Sequence, residues 1–307
     1  MTARHPAACW PWRGASLSKL RRKADQTSSV ANDIAHTNKT SDMLNFPENL
    51  GLATDLLLHA ETGILGSTDD YIVVRTPEAP EYFFGNMLVL RNRPSGSDLC
   101  RLENDFAQLI GIPPLIGHRA FAWSETDEGA TDLGAFVEQG YDATICRVLT
   151  ARPNLIRPVA TNGAVEVREF RLQRDWDDWA AMQLVDMPDP SDIASQRYIA
   201  HQQAAYRRLI ARGLGQWWGA FFDEEQVGSL GLFFHGSTGR FQSVITSERH
   251  RNQGVCRTLV REVIRLTAGC SDRVVMVADE SYHAGKIYEA LGFEQHGRVG
   301  SLCREPA

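Results

Sequence analysis

No run of apolar residues in the 307-residue chain approaches the roughly 18 that a membrane-spanning helix requires. Near the start there is also no apolar segment of the about 7–15 residues that secretion requires. Paired C-x-x-C cysteines are absent. The six cysteines, at 9, 100, 146, 256, 270 and 303, are scattered and form no cluster with histidine. That spacing argues against a disulfide framework and a metal site, and the expectation is a cytoplasmic protein with reduced thiols. A basic surplus is missing as well. Asp and Glu number 38 against 32 Lys and Arg, a net charge of −6, so nothing draws the whole chain toward nucleic acid or an anionic membrane.

What is present suits a globular protein long enough for two domains. Residues 1–45 stand apart. Arg4, Arg13, Lys19, Arg21, Arg22 and Lys23 precede the first acid, Asp25, and Ser, Thr and Asn dominate afterwards. This composition reads as a disordered extension, or as sequence ahead of a true start at Met43. From 49 to 152 the pattern predicts a helix over 50–60, strands over 71–76 and 81–91, and a helix capped by Asp98 with Leu99, Leu102, Phe106 and Leu109 on its apolar face. A strand over 120–123, a helix over 132–139 and a strand over 144–150 follow. Pro153, Pro158 and Asn162-Gly163 mark a linker.

Beyond the linker the pattern predicts a strand over 165–170, a helix over 175–184 and a longer helix from Ser191 to about 211. Two hairpins come next, over 216–222, 226–235 and 240–246. The best-defined stretch is 244–268. Val244, Ile245 and Thr246 end a strand, and Arg251, Asn252, Gln253, Gly254, Val255 and Cys256 form a turn. Val255, Leu259, Val263 and Leu266 then recur on one helix face. A turn of this kind lines up backbone N–H groups ahead of a helix whose first four donors are unpaired, a seat for phosphate or pyrophosphate. Gly254 leaves the backbone open to close approach, and Arg251 adds a fixed positive charge. After a strand over 273–278 comes Ser281 to Phe293, where Ser281 can cap a helix, Gly292 can end it, and Ala284, Ile287, Tyr288 and Leu291 share one face.

Two motifs together carry a resemblance. Arg251 and Gly254 fit the pattern Arg or Gln, two residues, Gly, one residue, Gly or Ala, with Cys256 in the last place. Ala284, Tyr288, Gly292 and Phe293 fit a second pattern, with Ser281 standing where Asn is usual. In this order the chain resembles the GCN5-related N-acetyltransferase superfamily, by motifs over 165–305 and by order of elements alone over 50–150. The resemblance implies an α/β (α+β) fold of two tandem acetyltransferase-like mixed-sheet domains, 49–152 and 164–307. Each would be a central, mostly antiparallel sheet flanked by helices. It implies acetyl-CoA or another acyl-CoA as co-substrate, no metal, and an amine of a small molecule or peptide as acceptor. The turn 251–256 and Ser281 would hold the cofactor, the backbone of Ile245 and Thr246 would bond its pantetheine arm, and Tyr288 would protonate the leaving thiolate. The base stays open: the strand 274–278 carries no acid, so Asp279, Glu280 or water could serve, with His250 and His283 nearby.

The two halves read as an internal duplication, anchored on Phe136 to Tyr141 against Tyr288 to Phe293. Aligning Cys100 with Cys256 sets Asp98 opposite Gly254 and Ser95 opposite Arg251, so the first copy places a carboxylate where a phosphate would sit. It is expected to hold no acyl-CoA and to serve stability or to wall the acceptor pocket. Trp217, Trp218, Phe221 and Phe222 could line that pocket or pack, while His201, Gln202, Gln203, Tyr206 and Arg207 form a polar patch expected to face water. Besides an N-acyltransferase, a non-catalytic acyl-CoA-binding or regulatory module and a purely structural pseudo-tandem fit the same residues.

Overall fold

The computed structural model describes residues 48–126, 132–187, 189–281 and 284–306, so the 1–45 segment and Met43 lie outside the described residues. The first half runs α1 (Leu50–Thr62), β1 (Ile64–Ser67), β2 (Tyr71–Arg75), β3 (Met87–Leu90), α2 (Leu99–Leu109), β4 (Arg119–Glu125), α3 (Gly134–Glu138) and β5 (Asp142–Ala151). The second runs β6 (Glu166–Glu169), α4 (Gln173–Val185), α5 (Ile193–Ala211), β7 (Gly215–Phe222), β8 (Glu225–His235), β9 (Thr238–Thr246), α6 (Val255–Leu266), β10 (Arg273–Asp279), α7 (Ala284–Leu291) and β11 (Glu294–Arg304). Among the described residues no helix is long and apolar enough to cross a membrane.

Four local readings are corrected. The strand expected over 81–91 is a 3-10 turn, Phe83–Gly85, followed by β3. Buried Asn86 causes the bend: its side chain donates to the Ala79 and Tyr82 carbonyls and accepts from the Thr76 amide, fixing a loop where apolar content suggested extension. Asp98 holds the N-cap position of α2, but its side chain does not cap that helix. It bonds back in a capping box to Ser95, which starts a 3-10 turn, Gly96–Asp98, leading into the helix. Asp192, not Ser191, caps α5, accepting from the Ser195 amide. On α6, Leu266 is 44% exposed, and Val260 and Ile264 complete the buried face with Val255, Leu259 and Val263.

The eleven strands form one continuous sheet, in the order β1-β2-β3-β4-β11-β5-β10-β9-β8-β7-β6. Its centre is an exchange. β5, the last strand of the first half, pairs with β10 from Val274↔Ala151 to Asp279↔Cys146. β11, the last strand of the second, pairs with β4 from Arg298↔Glu125 to Arg304↔Arg119, and with β5 on its other side. Side-chain alternation sorts the helices into two layers. On β10, Val274, Met276 and Ala278 pack with α6 and α7, while Val275 packs under α1. On β7, Trp218 faces α6, and Trp217 joins Trp176, Trp179, Tyr198 and Phe233 beneath α4 and α5. The paired aromatics of β7 are thus core. In the first half Phe121 and Trp123 face α2 and α3, Ala120 and Ala122 face α1.

The exchange makes the halves depend on one another. Fragments 48–152 and 164–307 expressed apart should each be unfolded or aggregated by circular dichroism and gel filtration, because β10 and β11 lose the strand between them and Leu149 leaves the second core. Together they should reconstitute a folded heterodimer.

Candidate active site

The site begins where two strands part. β9 and β10 are parallel and paired only from Arg273↔Thr238 to Val275↔Arg240. Beyond Arg240, β9 continues through residues 241–246 with its β10-facing edge unpaired, while β10 stays held by β5. A bulge helps β9 turn away: its register against β8 shifts between Ser229 and Gly231, and Ser243 takes φ +46°. Ile245 and Thr246 therefore lie on an open strand edge at the mouth of a fork. Among the described residues the first half has no such fork, since β3 is paired with β4 up to Leu90, its last residue.

At the mouth the chain makes a 3-10 turn, Glu248–His250, then reverses through Asn252 (φ +62°) and Gly254 (φ +76°) into α6. The amides of 250 and 251 are bonded to Ser247 and Glu248, and the next backbone donor with a partner is Thr258, to the Gly254 carbonyl at 2.9 Å. Between them, the amides of 252–257 donate to no acceptor among the described residues. The space in front of Gly254 is open: an added Cβ would meet nothing nearer than Arg257 Nη2 at 3.5 Å. The linker supports this turn from behind, with Asn162 Nδ2 donating to the Gln253 carbonyl at 3.0 Å and the Asn162 amide to Thr258 Oγ1 at 2.8 Å. Arg251 is anchored by Asp186 at 3.6 Å and by the Thr246 carbonyl at 3.4 Å. Burial raises the Asp186 carboxyl, and Arg251 opposes that rise. Asp186, at the end of α4, was not singled out in the sequence because nothing local ties it to position 251.

Tyr288, buried on α7, is brought to the same place. Its hydroxyl is hydrogen-bonded to Cys256, whose thiol burial pushes up to about 11 against the opposing effect of that bond. Gly292 ends α7 at φ +100°, with the Phe293 amide donating to the Tyr288 carbonyl at 3.0 Å. The first copy repeats the geometry: Gly140 has φ +83°, and the Tyr141 amide donates to the Phe136 carbonyl at 3.0 Å. At its helix opening the copies differ. Asp98 Oδ2 accepts from the Ser95 amide and hydroxyl, both at 2.9 Å, and Arg101 Nη2 meets Oδ1 at 2.8 Å. Arg101 and the Ser95 amide hold the Asp98 carboxyl below the usual range. An internal anion already fills that place.

Residues 176–293 match the model of the acetyltransferase (GNAT) family. The match places a GNAT domain over 176–293, within the second half. Among solved structures, the chain is similar to a functionally unknown conserved protein from Staphylococcus epidermidis, with a TM-score of 0.64, 14% identity, and coverage of 80% of this chain and 96% of that one. It is also similar to a GCN5-related N-acetyltransferase from Kribbella flavida (0.57, 13%, 88% and 97%). A third is a tandem GNAT protein from the clavulanic acid biosynthesis pathway (0.51, 11%, 88% and 96%). At these identities the likeness is one of fold, and it spans both halves. No curated protein matches it significantly in sequence.

Other candidate residues of the GNAT domain are placed differently from expectation. Ser281 donates its amide and hydroxyl to Asp279 Oδ1 at 2.8 and 2.6 Å; residues 282–283, between it and Ala284 of α7, lie outside the described residues. Asp279 is thereby engaged, and Glu280 lies 3.8 Å from Arg298. His250 is half-buried against Phe222, with Nδ1 buried and unpartnered. The α5 patch turns inward: Gln202 is buried and Tyr206 stacks against Phe233. Among the described residues no group of His, Cys, Asp and Glu is arranged to hold a metal.

A thiol whose ionisation sits near 11 is about 10⁻³ thiolate at pH 8, against roughly a quarter for an ordinary one. Iodoacetamide should therefore modify Cys256 about 10²-fold more slowly than the exposed Cys100 and Cys270, read by peptide mass spectrometry. Equal rates would show that Tyr288 and the turn do not cover it.

Proposed function

We propose that the chain is an acyl-CoA-dependent N-acyltransferase with one working site, in the second half, and that acetyl is the simplest group it transfers to a primary amine of a small molecule or peptide. The supporting observation is the file of undonated amides at 252–257, opening α6 beside the unpaired edge of β9. Six donors and the positive end of a helix of 12 residues suit a diphosphate. The edge over 241–246 suits an extended arm carrying amides, added as a further strand.

In this reading the acceptor nitrogen attacks the thioester carbonyl carbon in the fork, the C–S bond breaks, and the thiolate takes the Tyr288 proton. The proton released by the nitrogen returns to the phenolate through water, so the amide and a free thiol are the products. A coenzyme A thiol and a phenol both ionise well above neutrality, which makes that donation feasible. The Cys256–Tyr288 bond keeps the hydroxyl at the turn before the cofactor arrives. Cys256 is held as a neutral thiol there, which argues against its acting as a nucleophile. A non-catalytic acyl-CoA-binding module is the reading that remains if the phenol proves idle.

Two variants test this. Gly254→Asp should abolish acetyl-CoA binding in calorimetry by placing in this turn the carboxylate that Asp98 supplies in the first copy. Gly254→Ala, strained at the same φ but uncharged, should weaken binding and retain it. Tyr288→Phe should lower kcat about 10²-fold or more, with little change in cofactor affinity, when free thiol release is followed over a panel of amines. An unchanged rate would remove Tyr288 from the role.

A further inference from the structure

On the sheet face away from α6 lies a set of buried polar groups that the cofactor site does not use. Phe241 packs toward α6, so its neighbours on β9, Arg240 and Gln242, point to the α5 side. Arg240 is the last β9 residue paired with β10, at the apex of the fork, and is 4% exposed. Its guanidinium has two protein contacts, both long: Nη1 to Thr54 Oγ1 at 3.4 Å and Nη2 to Asp55 Oδ1 at 3.8 Å, with Nε buried and unpartnered. Asp55 Oδ2 stands 3.5 Å from His59 Nε2, both side chains being buried on α1. Tyr82 closes the first half's side, 5.8 Å from the His59 ring and 5.4 Å from Tyr198. From α5, the buried Gln202 amide sits beside the Tyr82 hydroxyl and acts on it as a donor does, with no hydrogen bond of normal geometry at Nε2. Toward the mouth of the fork the same face carries Gln242 and then Ser229, whose hydroxyl is buried without a partner.

A guanidinium taken out of water costs several kcal/mol unless its donors are satisfied, and buried polar groups in folded proteins are nearly always paired. Here Nε of Arg240, Nε2 of Gln202 and the Ser229 hydroxyl are not. Arg240 lies at the apex of the fork and Ser229, opposite Ile245, toward its open end. A guanidinium presents five donors in a planar fork matched to a carboxylate, and the carboxylate of Asp55 beside it matches an ammonium group. A ligand with both groups enters without adding net charge to a buried space.

Resting on the acyltransferase reading above, we infer that these groups form the acceptor site and take an amino-carboxylate, its carboxylate paired with Arg240 and its amino group beside Asp55 and His59. The first half, having no cofactor seat of its own, supplies one wall through α1 and Tyr82. A peptide's N-terminus lacks the α-carboxylate and its C-terminus lacks the α-amino group, so free amino acids fit and internal lysine side chains do not.

The test compares leucine, phenylalanine and ornithine with their decarboxylated amines, isoamylamine, phenethylamine and putrescine, using the full chain and acetyl-CoA. The expected result is a kcat/KM at least about tenfold higher for the carboxylate-bearing member of the preferred pair. Arg240→Gln should erase that preference through KM, and Arg240→Lys should restore part of it, with acetyl-CoA affinity unchanged in both. Saturation-transfer NMR of the amino acids against protein without coenzyme A reads the site independently. Loss of that signal in Arg240→Gln is expected. Equal turnover of amines without the carboxylate, or amino acid binding unaffected by Arg240→Gln, would overturn the inference, as would absence of any amino acid signal with acetyl-CoA binding intact. Failure of acetyl-CoA to bind would instead count against the transferase reading and leave the NMR result standing.

Discussion

The pairing of β5 with β10 is the constraint on which the rest of the structure depends. All seven residues of β10 belong to the sheet, and from Val274 to Asp279 they are bonded to a strand from the other half. Because β10 is satisfied on that side, β9 can leave it after Arg240 without unravelling the sheet. The bulge at Ser243 then tilts the departing strand. A fork needs one arm that is held and one that is free, and the exchange of last strands supplies the held arm.

The two copies show what that fork requires. Each has a helix opening after a parallel strand, and each closes its last helix with a glycine at positive φ and the same backbone bond. The first copy keeps β3 bonded to β4 to its end and fills its helix opening with Asp98. The second frees β9 and leaves six amides undonated. The two halves therefore share a scaffold, while a single carboxylate and a few strand residues distinguish the two helix openings. What the first half keeps is position: α1 lies on the face of the sheet beneath the fork, where Asp55 and His59 meet Arg240.

Local patterns were legible wherever one segment answers to its own physics. The turn 251–256, the hairpins of β7, β8 and β9 and the role of Gly292 all follow from residues within a few positions of one another. Misreadings arose where a distant contact decided. Gln202 and Tyr206 look like a hydrated helix face, yet Tyr82 and Phe233 cover them.

Taken alone, the amino-acid order determined that strand, turn and helix would follow one another over 244–268, because φ, capping and helix polarity are set by neighbours in the chain. It determined the matching order of elements in the two halves for the same reason. Only the tertiary structure decided that the last strands change places and that Tyr288 meets Cys256. It alone brought a cation from β9 and a carboxylate from α1, 185 positions apart in the sequence, to 3.8 Å. Those contacts depend on which strand lies beside which, and strand order in a sheet is chosen by long-range pairing that no local pattern records.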